Sequence, residues 1–352
     1  AAASILSSFA AKAAHEKLGL PLATVHLQPV AFRSSFQAPR YAQVGLPDWL
    51  PSGMKTAFWD FTDWAVTDRV LGPGVNAFRR KLDLPPVKHF FGDGVHAAQK
   101  TIAFFPPWFA APQPDWPPQT VLTGFPVYDG ETSGSWPDGL DDFLQQGDPP
   151  AVFTFGSAMR GGEILFRAAA DACLELGKRG ILLNTDSSQI PSNLPPSVLH
   201  LSYSSLARLL PACSALVHHG GIGSMSRAFQ AGLPQVAVTM THDQPDNAAR
   251  MVRLGCGLEL PRPRCRGRTL ATALGRVVGE PAIMAQAGRV ADAVLASAAV
   301  PVIFPPVRLG DRLLVDGALS RNTPIGTALA LGATRLVVLP TGFACGTRDV
   351  PR

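Results

Sequence analysis

The sequence predicts an α/β protein whose parallel sheet is wound by crossover helices. From residue 151 onward, short apolar runs of strand type alternate with helical segments, the grammar of such a layer. Several of these runs end in polar, glycine-rich turns: Gly156-Ser157, His218 to Ser224, and His242-Asp243-Gln244. Open parallel sheets bind ligands beyond the carboxyl ends of their strands, so three such ends on one rim point to a binding site.

The elements follow in order. Residues 4–18 have helical spacing of Ile5, Leu6, Phe9, Ala13 and Leu18, and Gly19 closes the helix. Leu22 to Leu27 is a buried strand. Residues 33–53 are loop-rich. Residues 54–82 form a long helical region with Phe58, Trp59, Phe61 and Trp64, broken at Gly72-Pro73-Gly74. Its aromatics are expected in the core, with a substrate-facing stripe as the lesser alternative. Strands at 101–105 and 121–125 flank a proline-rich connection holding Trp108 and Trp116. Residues 131–150, with Ser133-Gly134-Ser135, Gly147 and Pro149-Pro150, form a linker. Strands then fall at 151–155, 180–184, 198–201, 215–217 and 235–239. Helices fall at 163–176, 206–212, 225–231 and 246–254.

A chain of 352 residues suits two domains, or one large and one small, and 46% hydrophobic content is ample for their cores. The net charge is +5, with one dense basic loop at Arg262, Arg264, Arg266 and Arg268. A solvated connection is favoured there over a site for an anionic partner. No basic pattern is interleaved with aromatics, which sets nucleic acid aside as a partner. The odd set Cys173, Cys213, Cys256, Cys265 and Cys345 lacks metal-ligand spacing. It suits reduced thiols and a cytoplasmic location, with no metal or cofactor expected. No apolar run reaches about 20 residues, so no membrane span is expected, although peripheral membrane contact remains an expectation. Ala1 to Leu6 lacks a basic leader and reads as the middle of a helix, so the chain is expected to begin inside a larger protein.

The turn at 218–224 joins a strand to a helix start, where bare backbone N–H groups and the helix dipole meet an anion. His219 and Ser224 add side-chain donors, and Gly220, Gly221 and Gly223 let a ligand approach the backbone. Ser224 has capping the helix as its other use. Asp243 and Gln244 form a carboxylate–amide pair suited to sugar hydroxyls. The plainer alternative is that Asp243 or Asp246 caps the next helix.

These residues carry a resemblance. His218-His219-Gly-Gly-Ile-Gly-Ser224, Ala231-Gly-Leu-Pro-Gln235 and His242-Asp243-Gln244-Pro-Asp-Asn-Ala-Ala-Arg250 resemble the nucleotide-sugar signature of the UDP-glycosyltransferases. The nearest branches are the bacterial antibiotic and lipid glycosyltransferases and the sterol glucosyltransferases. The resemblance runs over roughly residues 1–290. It implies a glycosyltransferase-B fold, with a partial acceptor-binding domain at 1–130 and a nucleotide-sugar-binding domain at 151–290. It implies inverting, metal-independent transfer of a hexose from a UDP-sugar donor to a hydroxyl of a lipid, sterol or other hydrophobic acceptor. By position in the signature, His219, Gly220, Gly221, Gly223 and Ser224 hold the diphosphate and Asp243 and Gln244 the sugar. Gly156 and Ser157 belong to the cleft loop, and the backbone near Ser205 and Leu206 reads the base. Arg227 stands where many members carry a Glu for the ribose. The family's general base is a His near the start of the acceptor domain, in a part of about 100 residues expected before Ala1. Neither His15 nor His26 has its context, so no base is assigned and a donor-binding, catalytically incomplete chain is the alternative.

Residues 291–352 resemble a fragment of a patatin-like lipid acyl hydrolase, with Asp316-Gly317-Ala318 matching that family's Asp motif. The Gly-x-Ser-x-Gly nucleophile turn is absent from the sequence, so acyl hydrolysis through Asp316 lacks its attacking group.

Overall fold

The structure is a computed structural model that describes residues 2–3, 8–41, 45–96, 99–126, 136–156, 159, 161–297, 307–309 and 312–314. Asp316, Ser157 and Cys345 lie outside the described residues.

A first parallel sheet holds β1 (Ala2–Ala3), β2 (Ala23–His26), β3 (Lys100–Ala103) and β4 (Thr120–Leu122), adjacent in chain order. Helix α1 (Ser8–Leu18) connects β1 to β2. Between β2 and β3 the chain makes a long excursion through α2 (Ser52–Thr62), a π-helical turn at Asp63–Thr67 and α3 (Asp68–Arg80). The break expected at Gly72-Pro73-Gly74 does not occur: Pro73 lies inside α3. An interior proline costs about 3 kcal/mol. Ties along α3 offset that cost: Gly72 lies flat beneath Phe90, Asn76 bonds the backbone of Val87, and Arg79 pairs with Glu16 at 2.5 Å.

The aromatics of this excursion are also not where periodicity placed them. Trp59 is buried, but Phe61 and Trp64 are each 59% exposed and touch one another. Val66 and Val70 are exposed as well, so this excursion carries more apolar surface than its neighbours among the described residues cover.

The second sheet is the better developed. After α4 (Leu140–Gln145) come β5 (Ala151–Thr154), α5 (Glu163–Leu176), β6 (Gly180–Leu183), β7 (Val198–Leu201), α6 (Leu206–Leu209), β8 (Ala215–His218), α7 (Ile222–Gln230), β9 (Gln235–Ala237), α8 (Gln244–Arg253), β10 (Gly257–Glu259), α9 (Gly267–Gly279) and α10 (Pro281–Ser297). The strand order is β10-β9-β8-β5-β6-β7, all parallel, so the winding reverses between β5 and β8. Helices cover both faces, which is why the strands read as continuous apolar runs. Successive residues alternate between two cores: Phe153, Leu182 and Val217 pack with α5 and α9, whereas Val152, Ile181 and Leu216 face the side of α4 and α6. Leu140, inside the stretch read as linker, is fully buried in that second core. A third cluster joins the two sheets, with Phe32, Phe105, Phe109 and Trp116 packed with Met225, Phe229, Ala248 and Met251.

The basic loop at 262–268 connects β10 to α9, and its four arginines are exposed. Cys173, Cys213, Cys256 and Cys265 are buried free thiols, and burial pushes the first three up to about 12 and Cys265 to about 11. Beyond α10, β11 (Val307–Leu309) pairs antiparallel with β12 (Arg312–Leu314). Among the described residues no helix is long and apolar enough to cross a membrane.

In the first sheet's half, His26 and His96 are buried together, His96 Nδ1 lying 3.1 Å from His26 Nε2. His96 stacks on Phe32, and Phe32 on Trp116. Burial lowers His96 to about 3, with His26 and Lys12 acting in the same direction. Burial likewise lowers His26 to about 4, opposed by the Val95 backbone. Both folded values lie below the ordinary 6.5, so the unfolded chain takes up these protons first. Stability is therefore full above about pH 6.5 and is lost as pH falls, through a window that reaches down to about 4 for His26 and about 3 for His96, by up to about 1.4 kcal/mol per pH unit for each histidine. Urea unfolding at stepped pH should show this decline, and His96→Gln, which cannot titrate, should make it shallower.

Candidate functional site

The crevice where the second sheet's winding reverses lies between the ends of β5 and β8. Every residue of β8 is buried, so the strand end is held on both faces. His218 closes it, fully buried. Its Nε2 lies 3.0 Å from Gln235 Oε1, and its Nδ1 accepts from the Gly220 N–H at 3.1 Å. An Nδ1 that accepts carries no proton, so the ring is the neutral Nε2–H tautomer and donates to Gln235. Burial, with His219 as a second cause, lowers His218 to about 3, the bond to Gln235 opposing. The paired histidines therefore divide their work: His218 braces the turn from within, and His219 is the ring at the crevice.

His219 lies against Gly156 at the end of β5. A Cβ on Gly156 would come within 3.2 Å of the His219 ring, and Gly156 has φ +93°, a conformation glycine alone takes readily. His219 Nδ1 is buried without a partner among the described residues. Burial lowers the His219 pKa and nearby Asp243 opposes the shift, so the ring is neutral at pH 7.

The next turn packs backbone on backbone. Gly220 has φ +86°, and a Cβ there would lie 3.1 Å from both Cβ and the carbonyl oxygen of Gln244. Asn247, fully buried, fastens this contact: its Nδ2 donates to Gly220 O at 3.1 Å and to Asp243 Oδ2 at 2.7 Å. Gln244 Oε1 accepts from the Met240 and Thr241 N–H groups at 2.8 and 3.2 Å, which leaves its NH₂ group to donate outward. His242 holds the bend into α8 with φ +58°, rare for a non-glycine residue.

Helix α7 starts at Ile222 with Gly221 in the N-cap position, earlier than the expected start at 225. Ser224 is therefore inside the first turn and does not cap it. The N–H groups of Ile222, Gly223 and Ser224 have no intrahelical carbonyl to meet, and the first turn carries no acidic side chain. A Cβ on Gly223 would meet nothing within 4 Å, so open space lies over this helix end. The arrangement offers backbone donors, a dipole and a neutral imidazole to an anion.

The structure brings Gly156, His219, Gly220, Gly221, Gly223, Ser224, Asp243 and Gln244 to one rim. Ser205 and Leu206, at the start of α6, follow β7 on the same rim, four strands from β9. One expectation is corrected: Asp246 does not cap α8. Helix α8 begins at Gln244 after Asp243, and the Asp246 carboxylate accepts from Arg40 N and Arg250 Nε instead. Arg227 bonds Gln230 within α7. His15 is bonded to the Leu20 carbonyl and His26 is buried on His96, so neither reaches this rim. Sequence reasoning missed His218 as a brace and Asn247 as a bridge. The i,i+4 spacing of Asp243 and Asn247 was the one signal available for the latter.

A doubly covered parallel sheet with an anion-ready helix end at its switch point, packed against a second parallel sheet, is the architecture of the glycosyltransferase-B enzymes. Known proteins agree. Residues 176–303 match the family model of the erythromycin biosynthesis protein CIII-like C-terminal domain, so the match runs past residue 290, where the resemblance was read to stop. The chain is 34% identical over 236 residues to O-mycaminosyltylonolide 6-deoxyallosyltransferase of Streptomyces fradiae, covering 64% of this chain and 53% of that enzyme. Among solved structures it resembles the glycotransferase of kitacinnamycin at TM-score 0.63 and 16% identity, over 84% of this chain and 71% of that one. It also resembles spinosyn rhamnosyltransferase in complex with thymidine diphosphate, at TM-score 0.57 and 18% identity, over 84% and 69%. The homologues of this chain are glycosyltransferases, and the chain spans about half the length of the first of these relatives.

The Asn247 bridge is testable by thermal and urea unfolding. Asn247→Ala should cost about 1–3 kcal/mol, because it leaves the buried Gly220 carbonyl without its donor. Asn247→Asp should cost more, since it places a second carboxylate beside Asp243.

Proposed function

We propose that the protein is a glycosyltransferase that moves a hexose from a nucleoside diphosphate sugar to a hydroxyl of a hydrophobic small molecule. The observation that carries this reading is the joint rim of the α7 end and α8. An anion site with an imidazole stands against a carboxylate–amide pair, and Asn247 locks the two together. The donor is laid along the rim. Its sugar lies at Asp243 and Gln244, its diphosphate at His219 and the first turn of α7, and its base beside Ser205 and Leu206. Gly156 keeps the wall behind His219 flat, and Ser157 belongs with it in the cleft loop.

In the proposed reaction the acceptor hydroxyl oxygen attacks the anomeric carbon from the face opposite the diphosphate, the bond to the diphosphate oxygen breaks, and the hydroxyl proton leaves to water. Configuration inverts. Negative charge grows on the leaving diphosphate, where the α7 N–H groups and His219 are already aimed, so little reorganisation is needed. This charge stabilisation comes from protein groups, and no metal is part of the proposal. The base of the donor is uracil or thymine. The uracil reading comes from the sequence signature, and the thymine reading from a fold relative that holds thymidine diphosphate. For the acceptor, the relative named for O-mycaminosyltylonolide supports a small molecule that is neither a simple lipid nor a sterol. The exposed Phe61 and Trp64 favour the substrate-facing stripe over the core.

A second reading, donor binding without transfer, is favoured by one observation. His15, His26 and His96 are each engaged within the fold, so none of them is offered as a base to an acceptor hydroxyl.

Calorimetric titration with UDP and TDP tests the donor site. His219→Ala should weaken the diphosphate that binds by about tenfold, the worth of one hydrogen bond to a charged group. Unchanged affinity would remove His219 from the site. Asp243→Asn should weaken the nucleotide sugar more than the bare diphosphate. A radiolabelled-donor assay then separates the two readings, because binding without turnover selects the second.

A further inference from the structure

Asp246 stands between Gln244 and Asn247 in the first turn of α8, yet it is 2% exposed and turned away from the rim. It points into the junction between the two halves of the protein. There it meets a strap, residues 33–41, that leaves the first sheet after β2. The Arg40 N–H donates to Asp246 Oδ1 at 3.0 Å, and Arg250 Nε donates to Asp246 Oδ2 at 2.8 Å. Arg250, itself 3% exposed, donates through Nη1 to Gln37 Oε1 at 3.2 Å. The Arg40 guanidinium pairs with Glu259 at 2.5 Å, and Glu259 also accepts from Thr239 Oγ1 at 2.8 Å, just past the end of β9. Tyr41 continues the strap beside Arg33, and Arg33 pairs with the buried Asp63 of the π-helical turn at 2.7 Å. Ion pairs and hydrogen bonds therefore run from the aromatic excursion, through the strap, to the turn that carries Asp243, Gln244 and Asn247.

The apolar contacts of α8 come from Ala248 and Met251, in the cluster that joins the two sheets, and the polar strap is added to them. A buried ion pair adds little stability by itself, and its best use is to fix one arrangement against others. We propose that Gln37 and Arg40, from the first half of the protein, are positioning residues for the sugar pair Asp243–Gln244 of the second half: they hold the first turn of α8 at the angle at which that pair faces the donor sugar. The proposal rests on the donor-site reading above. The strap touches no ligand. It acts through Asp246 and Arg250 on one side of the turn and through Glu259 on the end of the sheet. Its consequence is that the half bearing the exposed Phe61 and Trp64 sets how firmly the other half grips a sugar.

The test uses the full chain with substitutions at two positions, singly and together: Gln37→Ala, which takes the oxygen from Arg250, and Arg40→Ala, which removes the pair with Glu259 and the anchor it gives the strap while the backbone N–H stays on Asp246; Gln37→Glu keeps an oxygen for Arg250. The first readout is hydrogen exchange at the Asn247 amide, which donates to the Asp243 carbonyl at 3.0 Å. It should quicken by about tenfold in the double variant, with amides of α5 unchanged. The second readout is calorimetry with UDP and UDP-glucose, and with TDP and TDP-glucose. Affinity for the nucleotide sugar should fall about tenfold in the double variant while the bare diphosphate holds, and Gln37→Glu should retain most of it. Unchanged exchange at Asn247 and unchanged sugar affinity would overturn the proposal. Equal loss of diphosphate and sugar would also overturn it, because it would mean the whole domain is disturbed. A wild-type chain that binds none of the four probes would instead sink the donor-site reading, and exchange at Asn247 would then decide by itself whether the strap holds the turn.

Discussion

The contact on which the site depends is the meeting of two turns, Gly220 against Gln244, with no side chain between them. Two separate strand ends become one binding surface because their backbones touch there. Asn247 holds the contact closed from beneath, and His218 holds Gly220 from the other side by accepting the Gly220 N–H at Nδ1. Two buried polar side chains, Asn247 and His218, fix a few backbone atoms. Buried polar groups are costly unless matched, so this is a place where a loose arrangement would be penalised. The same rigidity keeps the α7 N–H groups pointed at one spot before any ligand arrives.

Around that contact the structure is layered by task. The β5–β8 switch point sets where a ligand goes, because helices leave opposite faces of the sheet on either side of it. Glycines set how closely it approaches, at Gly156 behind His219 and at Gly223 over the open helix end. The apolar cores on both faces hold the rim steady. The junction cluster around Phe32, Trp116 and Phe229 then places the first sheet's half where its strap reaches α8.

Much of the fold was legible in the sequence. The strands from 151 to 239 announce themselves as short apolar runs, since both faces are covered, and helix 163–176 has the bounds its pattern indicates; the short edge strand at 257–259 was not among them. The candidate site was legible as a set of strand ends rich in glycine and polar residues. What local pattern misread were cases of tertiary override. Pro73 lies within a helix because long-range bonds hold α3 together. Phe61 and Trp64 have core spacing but stay mostly exposed, each 59%. Asp246 has the sequence context of a cap, yet its carboxylate is used by Arg40, 206 residues earlier in the chain.

The sequence by itself determined the class of fold, the rim on which a ligand would lie and the residue types offered to it. Those follow from periodicity and turn chemistry, which are local. Only the tertiary structure decided which histidine of the pair braces and which faces the crevice, because a buried ring and a half-buried one have the same sequence signal. It also decided that Asn247 joins Gly220 to Asp243 and that Gln37 and Arg40 grip α8 from the far half. Such bonds depend on where distant segments meet, and no spacing along the chain records that.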